Sequence, residues 1–359
     1  MPDPLHILEP TLVDEAGHCR SFTESLCAAA RGHPVTLWVG RGARLSSLPS
    51  EVRVEPHFHR RLRRVQALLL MRRLLRAPGR IFVATAGRVD FVLLDLAARG
   101  LEIPPAKVFL YVHWYRDTAA RRRTLARIAR RRPELVVLGP TEDIVDRLRA
   151  CGFQRAQVVP YPITPAAPDR AGAPVPFAHV LFAGAARQDK GFRSVVDLVE
   201  HLARSDAAVP VVVQSSSEQH DRHDHATRAE LERLRALPYP ALTLLPETLP
   251  AERYGALFAG GICLQPYDVR EFANRVSGVT LDALSRGCPI VAVRGTWTAR
   301  IVDRFGAGVV VDDTTPETLH GAVRAVIDRY PEFQARARRG GASLQEENDS
   351  RRLFDVLTA

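Results

Sequence analysis

Two loops in the second half of this 359-residue chain gather the residue types that bind a diphosphate. The first is Phe182-Ala183-Gly184-Ala185-Ala186-Arg187-Gln188-Asp189-Lys190-Gly191-Phe192, which follows an apolar run that reads as a strand. Gly184 at the strand end lets main chain approach a ligand closely, since no Cβ stands in the way. Arg187 and Lys190 then place two cations where the next helix opens, and the amides and dipole of a helix start favour an anion there too. The chain has two lysines, Lys107 and Lys190, so one of the two lies in this loop, where a compact ammonium suits a phosphate. An ordinary strand-to-helix turn with solvated charges would read the same way, and both readings stand.

The second loop runs from Pro266-Tyr267-Asp268 through Glu271, Asn274 and Arg275 to Ser277-Gly278-Val279, where a helix through Arg286-Gly287 begins. The amides of Ser277, Gly278 and Val279 form a second anion site at a helix start. Asp282, on the first turns of that helix, has the acceptors to clamp a diol. The plainer alternative is that Ser277 is an N-cap and Asp282 complements the dipole. Two anion-binding helix starts in one domain suggest a diphosphate.

The first half offers weaker candidates. The loop Glu9 to His18 follows the first strand and contains Gly17; His18 reads equally as a ligand contact or a helix start. His113 ends the run Val108–Val112, where a neutral imidazole can bond a sugar hydroxyl or serve a structural purpose. Trp114 and Tyr115 beside it suit sugar stacking or core filling. His220-Asp221-Arg222-His223-Asp224-His225 has metal-ligating types but lies in a polar loop opened by Gln214-Ser215-Ser216-Ser217, and it reads as loop. Asp312-Asp313 before Thr314-Thr315-Pro316 reads as helix capping, so no metal site is expected.

The elements that must position these loops alternate strand and helix along the whole chain. Strands are expected near 6–8, 35–39, 81–84, 108–112, 135–138 and 158–159, with helices near 18–31, 60–77, 88–99, 117–131 and 142–151. The stretch Tyr161-Pro162-Ile163-Thr164-Pro165-Ala166-Ala167-Pro168 breaks the rhythm as an extended connector. Strands resume near 179–183, 209–213, 242–245, 262–264, 290–293 and 309–311, and helices cover about 316–357. Apolar strands alternating with helices make parallel sheets covered on both faces. The expected fold is α/β, two doubly wound Rossmann-like domains facing across a cleft, with ligands at the carboxyl ends of strands. The boundaries are 1–165 for the N-terminal domain, 166–340 for the C-terminal domain, and 341–359 for a terminal helix packing back on the first.

Composition narrows the function. A hydrophobic fraction of 46% and a charged fraction of 25% are those of a globular protein and exclude disordered or collagen-like chains. No apolar run is long enough to span a bilayer, no secretory signal is visible and the five cysteines form no C-x-x-C pair, so a cytoplasmic protein is expected. Residues 1–165 hold 27 basic against 15 acidic side chains, whereas the remainder holds 23 against 25. A basic first half attracts polyanions, anionic lipid or a phosphorylated substrate. Nucleic acid is disfavoured because the basic patches lack interleaved aromatics. In the run after Arg60, Leu62, Val65 and Leu69 share a helical face, which Arg72, Arg73 and Arg76 interrupt. The arginine-flanked segment Leu68 to Met71 still suits docking on the inner face of the plasma membrane.

Three motifs carry a resemblance over nearly the whole chain: G-x-x-R-x-x-K-G (Gly184 to Gly191), V-V-P-Y-P-I (Val158 to Ile163), and P-Y-D…R-x-S-G-V-x-x-D-A-x-x-x-G-x-P-I-V-A (Pro266 to Ala292). Their order and spacing resemble GT-B glycosyltransferases, specifically the retaining, family-4-like enzymes of bacterial polysaccharide and glycoconjugate synthesis. The resemblance implies transfer of a sugar from a nucleotide-diphosphate sugar to a glycan, lipid-linked or small-molecule acceptor, with retention and with neither metal nor other cofactor. It also implies that Arg187 and Lys190 neutralise the leaving diphosphate, that Ser277, Gly278 and Val279 bind it through amides, and that Gly184 and Gly17 approach the donor. Asp282 matches the second acid of the family's E-x7-E pair, a ribose clamp, while Glu271 and Asn274 fall in the loop that presents the first. His113 is placed with the catalytic groups, and His18 and Trp114 on the acceptor side. The chain departs from the family at Asn274, which stands where the first Glu is expected, at Asp282, one methylene short, and at Ala185, where an Arg is commonest. A nucleotide-sugar 2-epimerase and an inactive binding protein on the same fold are the alternatives.

Overall fold

The computed structural model describes residues 3–12, 18–30, 32–43, 45, 48–163, 175–205, 208–216 and 224–359, with main chain only at 18 and 19. The chain divides into two compact units, Met1–Thr164 with Glu347–Ala359, and Pro165–Glu346.

The first unit runs β1 (Leu5–Glu9), α1 (His18–Ala29), β2 (Val35–Gly40), β3 (Val52–Phe58), α2 (Arg63–Arg76), β4 (Arg80–Val83), α3 (Arg88–Ala97), β5 (Val108–Tyr111), α4 (Ala119–Arg131), β6 (Val136–Gly139), α5 (Glu142–Ala150) and β7 (Arg155–Val158). All seven strands are parallel, in the order β3-β2-β1-β4-β5-β6-β7. β5 and β6 are buried at every position, which is why they read as unbroken apolar runs. β3 was not expected. Its residues Val52-Arg53-Val54-Glu55-Pro56-His57-Phe58 mix charge and proline into an edge strand, where an unpaired side tolerates both.

The second unit runs β8 (His179–Phe182), α6 (Phe192–Arg204), β9 (Val211–Gln214), α7 (His225–Ala236), β10 (Leu242–Leu245), α8 (Ala251–Ala256), β11 (Gly261–Gln265), α9 (Val269–Phe272), α10 (Gly278–Ser285), β12 (Ile290–Val293), α11 (Trp297–Phe305), β13 (Gly308–Val311), α12 (Pro316–Asp328) and α13 (Tyr330–Glu347). Its six parallel strands are ordered β10-β9-β8-β11-β12-β13. In α6, Phe192, Val195, Val196, Val199 and Leu202 recur at helical spacing and enter the core with Phe182, Val211 and Leu264. Residue 341 lies inside α13, so the terminal segment begins later than expected. It is α14 (Ser350–Thr358) that lies against α1, with Phe354 edge-on to His33 at 5.4 Å and Asp349 bridged to Ile163.

In each sheet the strand order reverses direction once, between β1 and β4 and between β8 and β11. Connections leave to opposite sides at such a point and open a crevice at the carboxyl ends of the strands. Both diphosphate-type loops emerge there in the second unit, one after β8 and the other after β11.

Candidate functional site

The two loops are stitched together through main chain. A short 3-10 turn, Gln188–Lys190, ends at Gly191 in the left-handed region (φ +69°). A side chain at 191 would run into the Pro266 carbonyl, so glycine is what permits the loops to meet. The Asp268 amide then donates to the Asp189 carbonyl at 3.0 Å. Gly184 is likewise left-handed (φ +92°), and its amide donates to Gln214 Oε1 at 2.7 Å. A Cβ at 184 would lie 2.9 Å from Lys190 Nζ and 3.8 Å from Val279 Cγ2. The bare face of Gly184, the Lys190 ammonium and the start of α10 therefore share one corner.

Positive charge is concentrated there. Asp189 takes one edge of the Arg187 guanidinium, accepting from Nε at 2.7 Å and from Nη2. Arg275 approaches the same carboxylate, with Nη1 3.6 Å from Oδ2 and its guanidinium 4.9 Å over the Phe272 ring. Lys190 is surrounded by protein yet keeps partial solvent access, the condition of a group lining a recess. Its loss of hydration, then the charge of Arg187, lower its pKa from 10.5 to about 8, with Asp189 opposing. Arg275 is also pulled below its usual value by burial and by Arg187. This arrangement holds more positive charge than its own carboxylates balance easily, and an anionic ligand would relieve it. Arg275 stands inside the third motif, whose spacing alone assigns it no role. Its signal was a cation in a loop at the carboxyl end of a central strand.

At the start of α10 the plainer reading of Ser277 is observed: its hydroxyl caps the helix by accepting from the Thr280 amide at 3.3 Å. The amides of Gly278 and Val279, first in the helix, have no carbonyl within it to bond. A side chain at Gly278 would meet nothing within 4 Å, so there is open space beside this first turn. Thr280 anchors the helix from below through Gln265 Oε1 (2.7 Å) and Thr298 Oγ1 (3.0 Å), both buried. Asp282 accepts from the Tyr254 hydroxyl at 3.2 Å and lies 3.6 Å from Arg286. Desolvation raises its carboxyl pKa against the pull of Arg286, although its side chain remains 42% exposed. Glu271 lies on α9 and acts electrostatically on Arg275, and Asn274 lies between α9 and α10. Gln214 and Tyr254 were missed in the sequence because their partners are distant along the chain.

The candidates of the first unit fare differently. Gly17 lies outside the described residues, and His18 opens α1. His113 is buried: Nε2 donates to the Ala84 carbonyl at 2.7 Å with Thr85 Oγ1 3.4 Å away, and Phe22, Tyr111 and Tyr161 surround the ring at 4.8, 5.0 and 5.5 Å. These are the contacts of a core histidine. Trp114 is 39% exposed, while Tyr115 fills core with its hydroxyl against Cys151. Nearby, Glu9 at the end of β1 is buried and accepts from Thr85 Oγ1 at 2.5 Å and from Thr11. Burial raises its carboxyl pKa, opposed by these hydroxyls.

Leu62, Val65 and Leu69 are 57%, 57% and 62% exposed along α2. Two of the arginines expected to interrupt that face are held elsewhere: Arg72 donates to the carbonyls of Ala97 and Arg99, and Arg73 stacks over Trp38 at 4.9 Å. Among the described residues no helix is long and apolar enough to cross a membrane, and no three His, Cys, Asp or Glu side chains converge as a metal site requires. Residues 217–223 of the histidine-rich loop lie outside the description; Asp224 caps α7, accepting from the Thr227 amide at 2.6 Å.

Comparison with protein-family models gives no match, and comparison with curated proteins gives none. Solved structures do match over nearly the full length. HepE of Anabaena in complex with UDP aligns at TM-score 0.70 and 13% identity, covering 98% of this chain and 97% of that one; HepE has also been solved with UDP-glucose. WaaG, a glycosyltransferase involved in lipopolysaccharide biosynthesis, aligns at 0.67 and 14% identity, covering 99% and 100%. Sucrose-phosphate synthase from Thermosynechococcus elongatus aligns at 0.68 and 14% identity, covering 99% and 96%. The chain therefore has the two-domain, Rossmann-like GT-B fold of these proteins.

Proposed function

We propose that this chain is a glycosyltransferase that moves a sugar from a nucleoside-diphosphate sugar to a glycan, lipid-linked or small-molecule acceptor, with retention at the anomeric carbon. The observation that carries this reading is the convergence of Gly184, Lys190 and the open start of α10 at the switch point of the second sheet, with Arg187 and Arg275 beside them. Likeness to glycosyltransferase structures, one of them holding UDP, supports it.

In this reading the second unit binds the donor. Bond breaking at the anomeric carbon leaves charge on the diphosphate, and preorganised cations and amides stabilise that charge more in the transition state than in the ground state. Lys190, Arg187 and the amides of Gly278 and Val279 do this work. Asp282, supported by Tyr254, takes the ribose hydroxyls, and Glu271 and Asn274 face the sugar. The first unit is assigned the acceptor, with Trp114 and His18 as its candidate contacts, and Gly17 is assigned to the donor. The nucleotide sugar is a co-substrate, and no cofactor is invoked because protein cations supply the charge that a metal would.

Localisation in the cytoplasm, peripheral to an anionic membrane, is proposed from the exposed Leu62–Val65–Leu69 face with its neighbouring arginines. Sedimentation with phosphatidylglycerol vesicles, reduced in a Leu62→Ser/Leu69→Ser variant and absent with neutral vesicles, is the expected result. The function itself is tested by calorimetric titration with UDP, GDP, ADP and dTDP, followed by a donor screen that detects released sugar by mass spectrometry. Binding of none of the four nucleotides would remove the reading.

A further inference from the structure

We propose that Asp189 is a positioning residue that aims two guanidinium groups at the donor diphosphate, and that Arg275 is a third cationic ligand of it beside Arg187 and Lys190. This rests on the reading that the corner holds a nucleoside diphosphate. Neither residue follows from the spacing of the glycine loop. Arg275 comes from the loop after β11 and reaches the turn after β8 only because those strands are neighbours.

The geometry argues for a fixed platform. Asp189 is held by main chain on both sides, since its carbonyl accepts from the Asp268 amide and the turn that contains it ends in left-handed Gly191. Its carboxylate occupies the Nε–Nη2 edge of Arg187, so the remaining N–H groups, on Nη1 and the outer side of Nη2, are the ones available to a ligand. The same carboxylate lies near one nitrogen of Arg275, whose plane is set by the Phe272 ring. Both guanidinium groups and Asp189 act electrostatically on Lys190, which places all three within range of the ammonium over Gly184. Glu271 is the other carboxylate acting on Arg275, from α9. A planar fork held along one edge, as Arg187 is by Asp189, loses little freedom on binding a phosphate with the other.

Two views of Asp189 predict opposite signs. If it only competes with the ligand for Arg187 and Arg275, its neutralisation makes an anion bind more tightly. If it positions them, neutralisation weakens diphosphate binding although a negative charge has been removed.

The test uses the full chain and four variants: Asp189→Asn, Asp189→Glu, Arg275→Gln and Arg275→Lys. Each is titrated by calorimetry with UDP, GDP, ADP and dTDP, and the nucleotide that wild type binds most tightly is compared with its monophosphate; thermal melting checks the fold. Asp189→Asn and Arg275→Gln are each expected to weaken diphosphate binding about tenfold or more and monophosphate binding much less, with Arg275→Lys recovering part of the loss. Asp189→Glu, which keeps the charge on a longer arm, serves if the Asn variant does not fold, and is expected to lose affinity in the same selective way. The upper pH limit of binding, set by Lys190, is expected to fall in Asp189→Asn because a neighbouring negative charge is gone. Equal or tighter binding by Asp189→Asn, or by Asp189→Glu where that variant replaces it, overturns the positioning role, and unchanged binding by Arg275→Gln overturns the third ligand. Wild type that binds none of the four nucleotides instead removes the donor-site premise, a separate outcome.

Discussion

The two sheets share a topology and reverse order at the same kind of point, but they treat polar groups there in opposite ways. At the switch point of the second sheet, cations from two loops stand in a glycine-backed recess with partial access to water, beside helix-start amides that no carbonyl of their helix reaches. At that of the first, Glu9 is closed in with Thr11 and Thr85, and His113 is enclosed by Phe22, Tyr111 and Tyr161. Buried polar groups that satisfy one another rigidify a core, whereas clustered cations that keep some access to water favour an anionic ligand. The fold supplies the switch point, and the side chains decide whether the polar groups there are paired with one another or gathered as like charges.

The strongest way to break this contrast is Lys190→Ala. Loss of the ammonium is expected to lower kcat/KM by about a hundred- to a thousandfold, the scale seen when one preorganised charge donor is lost. The fold should survive, because Lys190 is a destabilising charge in the free protein. Steady-state kinetics with the donor identified by the screen, alongside a thermal melt, read both effects. Unchanged turnover would place the chemistry elsewhere.

A pH series sharpens the contrast with a smaller effect. Burial lowers the Lys190 pKa to about 8 in the folded protein, against 10.5 for an ordinary lysine. Nucleoside-diphosphate affinity is therefore expected to fall as pH rises through about 8. Between about 8 and 10.5 the unfolded chain keeps a proton that the folded chain has lost, so this group makes stability rise with pH over the same window. Binding and stability moving in opposite directions in wild type, and neither trend in Lys190→Ala, is the expected pattern from calorimetry and urea melts.

The smallest effect belongs to buried Glu9 in the first unit. Glu9→Gln keeps one oxygen that accepts from a threonine hydroxyl and puts an NH2 donor where the second oxygen accepted, so that hydroxyl must turn to accept instead. A change in stability of about 1 kcal/mol at neutral pH is expected, with nucleotide binding untouched. Because burial raises the folded-state pKa of Glu9, wild-type stability from this group is greatest at acid pH, where the carboxyl is protonated, and falls as pH rises through that raised value. The variant should lose that slope. Impaired nucleotide binding in Glu9→Gln would break the contrast between the two switch points.

Much of the fold was legible before any coordinates. Doubly covered parallel strands such as Val108–Tyr111 and Ile290–Val293 are continuous apolar runs, and Gly184 and Gly191 punctuate the loop between strand and helix. β3 was not legible, since an edge strand with Arg53, Glu55 and Pro56 lacks that pattern. In the candidate site, Lys190, Arg187 and the α10 start were visible because they cluster locally. Arg275, Gln214 and Tyr254 were not, because each meets its partner only across strands or helices that the topology brings together. His113 shows the reverse case, a polar residue at a strand end whose aromatic surroundings no local pattern announces.

The order of amino acids alone therefore determined where strands end, where main chain must turn left-handed and which loops carry cations, all consequences of periodicity and backbone sterics within a few residues. Tertiary structure decided which cations share a carboxylate, how far Lys190 is stripped of water, and that Glu9 and His113 are buried against their own neighbours. Desolvation and charge coupling depend on what surrounds a group from every direction, and the crossovers of a parallel sheet bring in neighbours from far along the chain.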